Sequence, residues 1–258
     1  MTSSGTPTDS TPTDSTPNDR AYIHEFISIT KQNRAKYMHH MTANWSPLAQ
    51  EQRHQLCYGV WGVVGSTGAW PQVVNLWEED GLSGLARSFG TEFAGATLQD
   101  PALAKWWAAA ADLRSGGFDR ILLPHPQTRP IEQLCADDAG GAVYAHELIQ
   151  VERGGAPDFL DAAMASATDA HGRFGWSLIG AWRTVMRADD ECILLWSIPD
   201  WQLWAQAEQA IADRSATLLG TADGSVLSRE RILLVDAPLS PLRTGRQPNR
   251  DDRTGWEE

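Results

Sequence analysis

The sequence predicts an α+β fold: two tandem ferredoxin-like units that close into an intramolecular dimeric α/β barrel. Three observations carry this. The same order of features occurs twice along the chain, each copy reads β-α-β-β-α-β, and the 258 residues hold two such units plus short tails.

The repeat is visible residue by residue. Tyr22-Ile-His-Glu-Phe-Ile-Ser-Ile29 is matched by Tyr144-Ala-His-Glu-Leu-Ile-Gln-Val151 at an offset of 122. Gly59-Val-Trp61 is matched by Gly180-Ala-Trp182 at 121, and Val73-Val-Asn-Leu-Trp77 by Cys192-Ile-Leu-Leu-Trp196 at 119. Arg120-Ile-Leu-Leu123 is matched by Arg231-Ile-Leu-Leu234 at 111. A steadily shrinking offset is what loop shortening between ordered elements produces.

Each unit opens on a strand, because the Tyr22 and Tyr144 segments are short, apolar and β-branched. A helix follows: Tyr37, Met38, Met41 and Trp45 fall at helical spacing in the first half, and Pro157 precedes Phe159, Leu160, Ala163 and Met164 in the second. Two strands flank Gly65-Ser-Thr-Gly68 in the first half and Ala188-Asp-Asp190 in the second. A second helix opens on Asp100-Pro101 and runs through Trp106 and Trp107. Its counterpart, capped by Asp200, shows Trp201, Trp204, Glu208 and Ile211 on one face. The Arg-Ile-Leu-Leu strands close the units. Helices cover one face of each sheet, and the two bare faces can meet as a barrel interior.

The expected organisation is a disordered tail (1–20, built on a Thr-Pro-Thr-Asp-Ser repeat), unit one (21–135), unit two (142–242) and a polar tail (243–258) that trails off the fold. Trp256 is the one tryptophan expected at the surface. The net charge of −12 argues against a nucleic-acid or anionic-membrane partner. No run is long enough for a membrane span, and no secretory signal is present, so a cytoplasmic location is expected. Cys57, Cys135 and Cys192 fit no metal spacing and read as buried thiols.

The order Gly59-Val-Trp61, a Gly-containing hairpin, Val73-Val-Asn-Leu-Trp-Glu78, then Leu82, Leu85, Ala86 and Arg87 resembles the NIPSNAP family. Asp100-Pro101 with Trp106-Trp107, the ending Arg120-Ile-Leu-Leu-Pro-His-Pro126, and Glu25 in the first strand extend the likeness. The chain departs from that pattern at His24, where the family commonly has Tyr, and at Lys31-Gln-Asn33, which replaces Lys-Pro-Gly. The resemblance implies a dimeric α/β barrel, a superfamily that includes cofactor-free monooxygenases, small-molecule isomerases and haem enzymes.

The candidate catalytic residues are the two His-Glu pairs, His24-Glu25 and His146-Glu147. Strand alternation groups Glu25 with Ile23, Ile27 and Ile29, and His24 with Tyr22, Phe26 and Ser28. A carboxylate among isoleucines must be paired, hydrogen-bonded or raised in pKa, the last being the condition for a general base near neutral pH. The structural alternative pairs each Glu with Arg183 or Arg120 across the sheet. The histidines read as the partner acid, as haem ligands, or as satisfied half-buried side chains. Trp61, Asn75, Trp77, Trp182, Arg183 and Trp196 form the candidate substrate-binding set, with core packing as the structural reading of the rings. No metal-ligand spacing, Walker loop, GxGxxG or nucleophile elbow occurs. The expected function is a cofactor-independent enzyme acting by proton transfer, isomerase or monooxygenase, on a small hydrophobic metabolite. The alternatives are a non-catalytic carrier of a lipid-like or haem ligand, and a homo-oligomer assembled through sheet edges.

Overall fold

The computed structural model describes residues 17–256, so residues 1–16 of the tail expected over 1–20 lie outside the described residues. The elements run β1 (Ala21–Ile29), α1 (Arg34–His39), α2 (Ser46–Arg53), β2 (Leu56–Val63), β3 (Gln72–Glu79), α3 (Gly81–Glu92), α4 (Pro101–Ala110) and β4 (Arg114–Pro124). After the linking α5 (Ile131–Ala136) come β5 (Val143–Val151), α6 (Ala156–Phe174), β6 (Ser177–Val185), β7 (Glu191–Ile198), α7 (Trp201–Ala212), β8 (Val226–Asp236) and α8 (Pro241–Thr244). A π-helical turn, His40–Trp45, joins α1 to α2. The Asp200 carboxylate caps α7 by accepting from the Gln202 and Leu203 amides, both at 2.8 Å.

The eight strands form a closed antiparallel barrel in the order β1-β3-β2-β8-β5-β7-β6-β4. Within the first half β1 pairs with β3 and β4, and β2 with β3; within the second β5 pairs with β7 and β8, and β6 with β7. The seams between halves are β2–β8 and β4–β6. Register shifts fall at matching places, between Cys57 and Gly59 and between Leu178 and Gly180. The two seams are short, pairing Trp61–Val63 with Leu234–Asp236 and Ile121–Pro124 with Trp182–Val185.

Alternation sorts the apolar side chains into three clusters. One fills the lumen with Tyr22, Tyr58, Trp61, Tyr144, Trp182 and their neighbours, and the short helices α5 and α8 contribute Ile131, Leu134 and Leu242 to it. The other two lie between the outer sheet face and the helices of each half. The Gly-x-Trp motif has a packing cause. A Cβ on Gly59 would lie 2.0 Å from the Trp61 ring, and one on Gly180 would lie 1.8 Å from the Trp182 ring. Each lumenal indole folds back over its own glycine. Gly59→Ala is expected to cost roughly 1–3 kcal/mol or more by overpacking, read as a lower urea midpoint; an unchanged midpoint would show that the ring can move aside.

Two sequence expectations need correction. The matched Arg-Ile-Leu-Leu runs are out of structural register by one residue: Arg120 lies opposite His24, whereas Arg231 lies opposite Glu147. A one-residue slip reverses the face, so Arg120 points into the lumen and Arg231 toward the helices. The C-terminal segment does not trail off. The Gln247 side chain accepts from the Cys57 amide at 3.0 Å and donates to the Cys57 carbonyl at 2.7 Å, and the Pro248 carbonyl accepts from Gln50. Polar residues here serve as strand-like partners, which composition cannot reveal. At the other end, Asn18 donates to Tyr22 and to the Thr128 carbonyl, so 17–20 are anchored too. Trp70 and Trp201 are exposed along with Trp256. Of the three thiols, Cys57 and Cys192 are buried and Cys135 is half-buried. No helix among the described residues is long and apolar enough to cross a membrane.

Candidate active site

Glu25 projects from the outer face of β1 into a cavity of about 400 Å³ between the first-half sheet and α2 to α4. Its walls are aromatic and apolar, with Met41 and Trp45 from the π-helical turn, Phe89 from α3, and Leu103, Trp106 and Trp107 from α4. Trp106 packs against Trp45 and Trp107, ring centroids 4.8 Å apart in each case, and is stacked on His40 on another side. Its Nε1 has no hydrogen-bond partner among the described residues, nor has Nη2 of Arg53, whose Nη1 is bonded to Glu92 at 3.1 Å.

One carboxylate oxygen of Glu25 accepts two hydrogen bonds, from Trp77 Nε1 at 2.7 Å and from Asn75 Nδ2 at 2.9 Å. Asn75 reaches on to the Tyr37 hydroxyl at 3.3 Å. Adjacent register explains the grouping: Asn75 lies directly opposite Glu25 on β3, and Trp77 is two residues along on the same face. Burial pushes the Glu25 carboxyl up to about 7, with the nearby Asp119 carboxylate adding to the rise. The Trp77 and Asn75 bonds and Arg114 pull the other way. A carboxyl group that changes charge near neutral pH can both take and return a proton there.

The equivalent acid in the second half is built differently. Glu147 is fully buried and clamped by Arg229 at 2.6 Å and Arg231 at 3.2 Å, and Arg231 is bonded in turn to Glu208. Leu194 and Arg231 stand opposite Glu147 where Asn75 and Asp119 stand opposite Glu25. An Arg pairing does hold for Glu147, through arginines other than Arg183 and Arg120; among the described residues Glu25 forms none.

His24 and His146 meet each other rather than either glutamate. Their Nε2 atoms are 2.9 Å apart inside the lumen and the rings are stacked. Burial pushes both pKa values down, His24 well below its ordinary range with help from His146 and Arg120, and His146 to about 3 with help from Arg120. Both are therefore neutral at physiological pH, one donating to the other. The sheet separates them from the Glu25 cavity, so the expected partnership of His24 or His146 with Glu25 as acid and base does not form. Only the Nε2 atoms are engaged with each other; Nδ1 of His24 has no hydrogen-bond partner among the described residues.

Of the candidate binding set, the structure gathers Asn75 and Trp77 at Glu25. Trp61 and Trp182 fill the lumen, Trp196 packs with Trp176 in the second-half core, and Arg183 lies opposite Leu123 on β6, outside the cavity. Sequence reasoning missed Asp119, Tyr37, Arg53, Phe89 and the site role of the Trp106-Trp107 pair. The one available signal was Asp119 itself, a charge beside Phe118 in an otherwise apolar closing strand. Among the described residues no group of three or more His, Cys, Asp or Glu is placed to hold a metal ion.

No protein-family model matches the sequence, and no curated protein matches it. Solved structures do. A candidate monooxygenase from Lactobacillus acidophilus NCFM superposes with a TM-score of 0.55 at 10% identity, over 90% of this chain and 97% of that one. An anthrone oxidase-like protein gives 0.55 at 11% identity, over 85% and 92%. The shared property is the fold. A NIPSNAP-like domain protein from Burkholderia xenovorans is also similar, at 18% identity over 43% of this chain and 90% of that one, with a TM-score of 0.35.

Proposed function

We propose that the protein is an enzyme that removes a proton from a small, flat, weakly acidic apolar molecule, with Glu25 as the base and no resident cofactor. The observation that carries this is Glu25 itself. It is held by Trp77 and Asn75 at the base of an aromatic cavity, with its pKa raised to about 7 by burial. Indole and phenyl faces suit a planar ring system, and the unpartnered Trp106 Nε1 and Arg53 Nη2 supply donors for a carbonyl oxygen on it. The anion formed can be reprotonated at another atom, an isomerisation, or can react with dioxygen. Part of this reading is that the two halves arose by duplication. The second half keeps the fold, while its acid is neutralised by arginines.

Anthrone is the probe, chosen because it is a planar ketone with an acidic methylene and because one structural neighbour is described as anthrone oxidase-like. Loss of a methylene proton gives the delocalised anthranolate, and reaction with one O₂ then yields anthraquinone and water. Wild-type protein is expected to speed hydrogen–deuterium exchange at that methylene in anaerobic D₂O, and anthraquinone formation in air. Saturable tryptophan quenching by anthrone without faster exchange would overturn the catalytic reading in favour of a binding protein.

A further inference from the structure

We infer that Asp119 is the second proton-handling group of this site, the solvent-side member of a carboxyl pair through which the proton taken by Glu25 leaves the cavity. The inference rests on the reading of Glu25 as the base. Three structural facts carry it. Asp119 on β4 is the direct cross-strand partner of Glu25 on β1, which places the two side chains side by side on the outer sheet face. Both line the same cavity. Glu25 is half-buried and Asp119 is exposed, so the pair runs from the cavity toward water.

Asp119 has no hydrogen bond or ion pair of its own among the described residues, which is unusual for a carboxylate in a cavity wall and leaves its oxygens available. The charged and titratable groups around the pair come from every neighbouring element. Arg114 lies on β4 with its guanidinium 3.3 Å over the Trp107 ring, Tyr37 on α1, Glu92 on α3 with its partner Arg53, and Arg187 beyond β6. Partial desolvation against the cavity wall raises the pKa of this otherwise water-facing carboxyl, with a contribution from Glu92, and Arg114 lowers it. Two neighbouring carboxyls in such a setting bind one proton more readily than none and titrate as a unit.

The step balances without a co-reactant. The substrate C–H bond breaks, its electron pair stays on the substrate as a delocalised anion, and an O–H bond forms on Glu25. The proton then passes to the Asp119 carboxylate and from there to water, which leaves Glu25 ionised for the next turnover.

Carboxyl-carbon NMR of the full, ligand-free chain tests the pair, with Glu25→Gln used to assign the signal. In the wild type the Glu25 carbon is expected to show two inflections with pH. In Asp119→Asn it should show one, at a midpoint lower by roughly one pH unit, and Asp119→Glu should restore two. A single inflection at an unchanged midpoint in Asp119→Asn overturns the pair, whatever happens to catalysis. Anthrone exchange tests the relay: Asp119→Asn should slow it by roughly tenfold or more, with formate in the buffer restoring the rate as its concentration rises. Exchange at the wild-type rate in Asp119→Asn overturns the relay and leaves Glu25 as base; a wild type without exchange overturns the base assignment while the NMR result still decides the pair.

Discussion

Glu147→Gln is expected to lower the stability of the folded chain by about 3 kcal/mol, toward the lower end of what removing one partner of a buried ion pair costs. The side chain is fully buried and its two oxygens accept three bonds from arginines, Arg229 at 2.6 and 3.1 Å and Arg231 at 3.2 Å. Glutamine keeps the shape and loses the charge, leaving Arg229 without an opposing charge closer than Asp223 at 4.0 Å. The effect stays near the lower bound because Arg231 retains Glu208 and both guanidinium groups reach partly into water. For a domain of this size it corresponds to a melting temperature lower by roughly 6–12 °C. Calorimetry or a urea titration checks it. A variant as stable as the wild type would show that the arginine cluster relaxes into solvent and that Glu147 does not fasten the second half.

The same comparison shows how far the sequence reads. Twofold strand order, the helices α1, α4, α6 and α7 and the opposite facing of His24 and Glu25 were legible because they depend on local periodicity, which survives without knowledge of partners; α2, α3, α5 and α8 were not read from the sequence. The Gly-x-Trp repeats were legible as a pattern, and their cause, an indole lying over its own glycine, needed coordinates. What the sequence could not show was register between distant strands. The identical runs at Arg120 and Arg231 invite a match that the barrel offsets by one residue, so one arginine enters the lumen beside the histidine pair and the other neutralises Glu147. That slip, together with Arg229 beside Glu147 and Leu194 in the place of Asn75, makes two Glu positions that look alike in sequence differ in chemistry. Asp119 stayed hidden for the same reason: its meaning comes from lying opposite Glu25, more than ninety positions away in the chain. The folding back of Gln247 onto Cys57 was hidden because amide-to-backbone bonds leave no hydropathy signal.

Glu25→Gln is expected to do the reverse of Glu147→Gln: to abolish proton removal while stabilising the fold. The loss of a positioned base corresponds to a rate lower by about 10²–10⁴-fold, read as anthrone exchange falling toward the buffer rate. The amide oxygen can still accept from Trp77 and Asn75, so the pocket keeps its shape and binding of anthrone should change little. The stability effect follows from linkage. In the folded chain the carboxyl titrates at about 7 and in the unfolded chain near 4.5, so between these values the folded state holds the extra proton. Stability therefore falls as pH rises through that window, and the full cost, on the order of 3 kcal/mol, is present above it. Glutamine never ionises, so the variant should match the wild type below pH 4.5 and exceed it increasingly up to neutrality. Glu79 and Asp236, also raised to about 7 by burial, contribute slopes of the same sign in both proteins. The test is consequently the difference between two urea series across pH 4 to 8, in which those shared terms cancel. Parallel curves would mean that Glu25 is ionised at little cost and has no elevated pKa with which to act as base. Diverging curves with unchanged anthrone binding would place the strained charge at Glu25, which, unlike Glu147, forms no arginine ion pair among the described residues.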